Sequence, residues 1–199
     1  MTLKKSLLFV FLILLIDLWS KVYVKTNFTL YESYFVLGQE WFQIYFIENE
    51  GMAWGAKIPG NYGKLVLTLF RIIAVFGIGY WLFDSVKKKA SNLLIVAICL
   101  IFAGAIGNIV DSVFYGLIFN HSEGQLATLF SNEPYGKLFY GKVVDMFYFP
   151  LFEFTWPDWM PFFGGSQFRF FNAIFNVADF VISTGIGILL VFNKRVFKS

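Results

Sequence analysis

A chain of 199 residues that is 58% hydrophobic and 22% aromatic, with 15% charged residues and a mean hydropathy of +0.66, is too apolar for a soluble domain and reads as an integral membrane protein. Its formal charge of +3 is small, and the basic residues stand in short clusters beside apolar runs, which excludes a nucleic-acid-binding surface. The single cysteine, Cys99, lies inside an apolar run, so there is no internal disulfide framework and no good setting for a reactive thiolate.

The chain opens with Lys4 and Lys5 ahead of an apolar stretch in the manner of a signal peptide. No small-x-small cleavage site follows and Asp17 interrupts the run, so a retained transmembrane helix is predicted there. Four spanning helices are predicted, over 6–24, 65–83, 93–113 and 171–192, each long enough to cross a bilayer. An even number puts both termini on one side. Lys4, Lys5, Lys87, Lys88, Lys89, Lys194, Arg195 and Lys198 all fall on that side, eight of the sixteen basic residues, which makes it cytoplasmic by the positive-inside rule.

The loops 25–64 and 114–170 then face outward. In the first, apolar and aromatic runs at 34–37 and 41–47 flank Gly38-Gln39-Glu40 and predict a β-hairpin, followed by the turn-rich stretch from Glu48 to Gly55. The second is too long to be a mere connection. Its aromatics, from Phe147 through Trp156, Trp159, Phe162 and Phe163, belong in the interfacial belt of the membrane. The predicted class is an all-α membrane protein, one domain over 1–199, with a small outer β-hairpin or cradle and an extended aromatic outer loop.

Polar residues inside the apolar segments are the candidates for chemistry, because an ionisable group at membrane depth is costly. Asp17 and Lys21 are spaced i, i+4 and share a helix face; Asn108 with Asp111 and Asn176 with Asp179 are spaced i, i+3. Asp179 follows Phe171 by eight residues, which predicts a position about 12 Å into the last helix. Gly104, Ala105 and Gly107 form a small-residue face for close helix approach. Arg71, near the outer end of the second helix, suits snorkelling and a substrate or carboxylate contact equally well.

Asp145 comes from a β-like run, 142–147, returning to the membrane. Paired with Asp179 it would share a proton, one carboxyl activating water and the other protonating a carbonyl, which hydrolyses an amide without a covalent intermediate. For Asp17 and Asp111 a structural ion pair competes evenly with a catalytic role. The lone histidine, His121, lacks triad partners, and zinc ligands are scarce. A Ser-Lys dyad from Ser20-Lys21 or Ser112 competes with ordinary back-bonding to helix carbonyls. A proton-coupled transporter or channel is the alternative functional class, although no internal repeat or broken helix pair is visible; a non-catalytic packing or anchoring protein is the third.

Five fragments in order resemble the bacterial lipoprotein signal peptidases, the signal peptidase II family of aspartic membrane proteases. They are Asp17-Leu18-Trp19-Ser20-Lys21, Asn49 to Gly55, Gly104 to Asp111, Val143-Val144-Asp145-Met146, and Phe175 to Asp179. The resemblance implies an inner-membrane enzyme that cleaves prolipoproteins before a diacylglyceryl-modified cysteine. It implies Asp145 and Asp179 as the catalytic dyad, with Asn49, Asn108, Asp111 and Asn176 supporting substrate and geometry; Asp17, Lys21, Gly51 and Arg71 are further candidates for substrate-binding or supporting positions. The resemblance further implies inhibition by globomycin and no metal or cofactor; contact with membrane lipids and a monomeric state are expected. Where many members carry Arg after the third-helix Asp, this chain has Ser112, with Arg71 the candidate replacement. The segments 120–142 and 156–165 are longer than in a minimal member and are expected to form an enlarged outer lid.

Overall fold

The structure, a computed structural model, describes residues 1–50 and 62–197. The expected motif positions from Gly51 to Gly55 lie outside the described residues. Among those described, three helices are long and apolar enough to cross a membrane: Leu3–Asn27, Gly63–Lys87 and Asn92–Ile118. The first two are α1 and α2. The third is composite, with α3 over Asn92–Val110, a single π turn over Asp111–Tyr115 and α4 over Gly116–Ile118. Each start has a local cause where a capping side chain is present: Thr2 accepts a hydrogen bond from Lys5 N, and Ser91 from Leu94 N.

The larger sheet has the order β1-β2-β3-β6, all antiparallel, from Ser33–Phe35, Gln43–Asn49, Val143–Tyr148 and Ile174–Phe175. A separate two-stranded ribbon joins β4, Phe152–Thr155, to β5, Gln167–Phe170. β3 carries Val, Met, Phe and Tyr, residues that fit a pleated buried surface, and five of its six positions are buried.

The last predicted helix needs correction. Residues 171–176 are not helical: Phe175 pairs with Phe147 and Ile174 with Tyr148 across the sheet, and α5 begins only at Val177 and runs to Val191, followed by the short α6, Asn193–Val196. The cause is local chemistry. Asn176 is the N-cap of α5, accepting from Asp179 N, while the Asp179 carboxylate accepts from Asn176 N, a reciprocal capping box. Asp179 therefore sits in the first turn of its helix rather than two turns inside it.

Central α3 packs against α1, α2 and α5 through a core that includes Val10, Ile13, Ile95, Ile98, Cys99, Ala103 and Val181. At Gly104 a Cβ would strike the Ala178 carbonyl and come within 2.6 Å of Ile182 Cγ1, so only glycine lets α3 and α5 approach this closely. A second core fills the space behind the sheet with Val24, Phe46, Tyr115, Phe119, Ala127, Val144 and Met146. The segment 120–142, expected as part of a lid, thus supplies the buried Ala127 to the body of the protein.

Candidate functional site

The polar residues gather where the C-terminal ends of α1 and α3 and the N-terminal end of α5 meet β3. Lys21, fully buried, lies 2.9 Å from Asp17 Oδ2, one turn earlier on α1, and 3.0 Å from Asp111 Oδ2, and it donates to Asn108 Oδ1 at 2.9 Å. Asp17 also accepts from Ala178 N at 2.8 Å, and Asp111 from Val144 N at 3.3 Å. One cation thereby ties α1 to α3, and its two carboxylates reach the start of α5 and the middle of β3.

The next shell holds the two remaining aspartates. Because Asn108 Oδ1 already accepts from Lys21, its amide nitrogen faces away and donates to Asp179 Oδ1 at 2.8 Å. Asn176 spans both carboxyls: its side-chain nitrogen donates to Asp145 Oδ1 at 2.7 Å and to Asn108 Oδ1 at 3.1 Å, and its backbone N–H to Asp179 Oδ2 at 3.3 Å. Asp145 takes a further hydrogen bond from the Asn49 amide. Asp145 is only 2% exposed. Burial, and then the negative charge of Asp179, push its carboxyl well above the usual carboxylate range, against the pull of Lys21 and of the Asn176 hydrogen bond. Arg71, on α2, interacts electrostatically with both Asp145 and Asp179.

The structure therefore brings Asp17, Lys21, Asn49, Asn108, Asp111, Asp145, Asn176 and Asp179 into one connected network, with Arg71 in range, while Gly51 lies outside the described residues. Ser20 and Ser112 donate to the carbonyls of Asp17 and Asn108 at 2.8 and 2.9 Å, which is back-bonding within their own helices and not a Ser-Lys dyad. His121 meets Gln125 on an exposed loop.

Sequence reasoning missed a second buried cluster next to this network. Glu48, the residue before Asn49, pairs with Lys25 in the last turn of α1, accepts from Ser122 at 2.9 Å and lies 3.4 Å from Lys142. The Lys25 ammonium also sits 5.0 to 5.9 Å from the ring centres of Tyr135, Phe119 and Phe46, within cation–π range. A second ion pair, Glu50 with Lys64 at 3.0 Å, lies on the other side of Asn49, so that residue is bracketed. The only sequence signal was a lysine closing α1 and a glutamate beside the Asn49 motif; Ser122 is too remote in sequence to be inferred.

Burial alone would raise the Glu48 carboxyl, but the Lys25 ammonium and the hydrogen bonds from Lys25 and Ser122 outweigh it and hold the group below its ordinary value. A carboxyl depressed on folding adds stability above its unfolded value, about 4.3, and loses that contribution as the pH falls through the folded value. Glu48→Gln is therefore expected to be less stable than wild type at neutral pH, with the gap narrowing below about pH 4. Thermal unfolding in detergent across that range measures it; a gap independent of pH would remove the charge from the explanation.

The family model described as Signal peptidase (SPase) II matches residues 9–194. A lipoprotein signal peptidase of Porphyromonas gingivalis is 48% identical over 186 residues, covering 92% of this chain and 80% of the relative. One from Amoebophilus asiaticus is 36% identical over 78% of this chain and 62% of its own length. In fold, the chain is similar to a solved bacterial membrane enzyme with a TM-score of 0.63 at 23% identity, covering 96% of this chain and 89% of that one. These matches do not support the transporter alternative. With buried polar groups converging at one end of an apolar bundle and a family match over nearly its whole length, the chain belongs to the signal peptidase II family.

Proposed function

We propose that this protein is an aspartic endopeptidase that removes signal peptides from prolipoproteins by cutting before a diacylglyceryl-modified cysteine, with Asp145 and Asp179 as the catalytic pair. The observation that carries the reading is Asn176, one residue whose side chain holds Asp145 and whose backbone holds Asp179. Two carboxyls so coupled share a proton. One removes a proton from water as its oxygen attacks the scissile carbonyl; the other donates its proton to the carbonyl oxygen, giving a neutral gem-diol intermediate. Return of the protons, with one passing to the leaving nitrogen, breaks the C–N bond and restores the pair. The chain's own residues supply the geometry: Asn49, Asn108 and Asn176 orient the carboxyls, and the Lys21 group with Asp17 and Asp111 orients Asn108.

In this reading the protein is a single integral membrane protease domain and a monomer, in the bacterial inner membrane. α5 is the fourth span, both termini are cytoplasmic, and the site opens to the outer surface where water is available. Acyl chains of the substrate remain in lipid while the signal helix enters between the enzyme's helices. Arg71, which interacts electrostatically with both aspartates, is the candidate contact to the substrate backbone. Globomycin-type inhibitors would compete for the same site.

The test is cleavage of a diacylglyceryl-modified prolipoprotein by the purified protein in detergent or vesicles, with the cut located by mass spectrometry. A product beginning at the modified cysteine is expected; no product, or a cut elsewhere, overturns the reading. The pH profile adds a second check. The Asn49 amide stabilises the Asp145 anion, so Asn49→Ala should hold the shared proton more tightly and move the alkaline limb of kcat upward by about one pH unit, the value of one hydrogen bond to a charged group. An unmoved limb would remove Asn49 from the control of that proton.

A further inference from the structure

The ribbon formed by β4 and β5 has two chemically different sides. Phe152 pairs with Phe170 and Phe154 with Phe168, while Glu153 pairs with Arg169 and Thr155 with Gln167. Directly paired residues share a side and successive residues alternate, so one side carries four phenylalanines and the other four polar residues. The aromatic side is continuous: Phe152 stacks on Phe170 at 4.8 Å, Phe154 meets Phe168 at 5.1 Å, and Trp156 stands edge-on to Phe154 at 4.7 Å and contacts Phe163 at 6.3 Å. All eight strand residues are exposed. The tip adds Trp159 and Phe162, which are 80% and 101% exposed.

The four ribbon phenylalanines are 37–53% exposed and Trp159, Phe162 and Phe163 at the tip 56–101%; scaled from about 150–250 Å² for a whole aromatic side chain, ribbon and tip together exceed the roughly 300–600 Å² of the largest apolar patch on a typical soluble monomer. A lone two-stranded ribbon is also only marginally stable in water. Something apolar must cover it. The polar side is already held to the body, because Arg169 pairs with Glu153 at 2.8 Å and donates to Tyr148 of β3 at 3.1 Å.

Three features select lipid as the occupant. The base of the ribbon, Phe170, leads within a few residues into β6 and the first turn of α5, so it is rooted at the end of the apolar bundle. Exposed aromatics continue from it through Phe171 and Phe180 to the outward surface of that helix. The tip, from Trp156 to Gly165, contains tryptophan, phenylalanine, methionine and proline and no lysine or arginine, the chemistry of a membrane–water boundary.

We propose that the aromatic side of this ribbon docks into the headgroup and acyl boundary of the adjoining leaflet, with bilayer phospholipid as its partner. An amphipathic element of this kind sits about 5–10 Å deep. Through Arg169 and Tyr148 the docking sets the height above the membrane of β3, the strand that carries Asp145. The inference rests on the membrane-embedded bundle and not on the proteolytic reading.

The test uses bimane attached at Phe162→Cys or at Gln167→Cys, each in a Cys99→Ala background, in phosphatidylcholine vesicles with and without acyl-chain bromination. The Phe162 label is expected to lose about half or more of its emission in brominated lipid and to resist aqueous iodide; the Gln167 label should show the reverse. Iodide access at Phe162 without bromolipid quenching overturns the proposal. So does shielding that depends on the protein-to-lipid ratio, which would mark a second copy, or quenching that appears only with lipopeptide present, which would mark substrate. Because Phe162 packs against nothing within the protein, its replacement leaves the fold undisturbed. Lipopeptide cleavage measured in the same vesicles separates the two readings, since its absence beside intact quenching counts against the protease alone.

Discussion

Asp145→Asn and Asp179→Asn should each lower kcat for prolipoprotein cleavage by ~10³-fold, the scale of losing a general acid or base, while the protein stays folded. Each substitution keeps the side-chain shape and removes one titrating oxygen from the proposed catalytic pair. The double variant should accordingly be little worse than either single one, because groups acting together are non-additive. Folding is expected to survive because the hydrogen-bond acceptors for Asn49, Asn108 and Asn176 are retained in part and a buried charge is lost from Asp145, which is unfavourably placed as an anion. The comparison is made on protein shown to unfold at a wild-type temperature. Near-normal turnover by one variant would assign that aspartate a structural role and turn attention to Asp111 or Asp17.

Lys21→Met should be the most destabilising single change in the polar network. Lys21 is fully buried and faces Asp17 and Asp111 at 2.9 and 3.0 Å; removing it leaves two carboxylates close together in an apolar bundle without their cation. Breaking a buried ion pair in this way costs about 3–5 kcal/mol. The thermal midpoint in detergent should fall clearly, and cleavage should fall with it, because Asn108 loses the donor that turns its amide nitrogen toward Asp179. Adding Asp111→Asn returns the group to its original net charge and should recover much of the stability. It should not recover the activity, since Asn108 remains unanchored. Full recovery of both would mean that Lys21 acts through charge balance alone.

Much of the network could be anticipated because helical spacing is a local property. Asp17 with Lys21, and Asn108 with Asp111, share faces by the periodicity of a helix, and the structure shows Lys21 drawing both aspartates together. Asp179 illustrates the opposite case. Its apolar neighbours from Phe171 onward look like uninterrupted helix, yet Phe175 is captured by Phe147 of a strand distant in sequence, and Asn176 then caps the helix. The capping signature was present in the sequence, but an apolar run of suitable length masked it.

The Glu48 cluster was less legible still. Lys25, Glu48, Ser122 and Lys142 come from α1, β2, a loop and the residue before β3, and no periodicity links them. The same holds for the ribbon. Composition placed its aromatics at an interface, whereas their segregation to one side follows from the β4–β5 register.

The membrane class, three of the four expected spanning helices, the polar residues inside them and the family are legible along the chain, because hydropathy, helical spacing and ordered motifs are local properties. That Asn176 bridges Asp145 and Asp179, that Glu48 next to Asn49 is buried against Lys25, Ser122 and Lys142, and that the ribbon has a single aromatic side emerge only once distant segments pack together. Those outcomes depend on strand register and on burial of charges from distant segments, where a shift of one residue would send every side chain to the opposite side of the sheet.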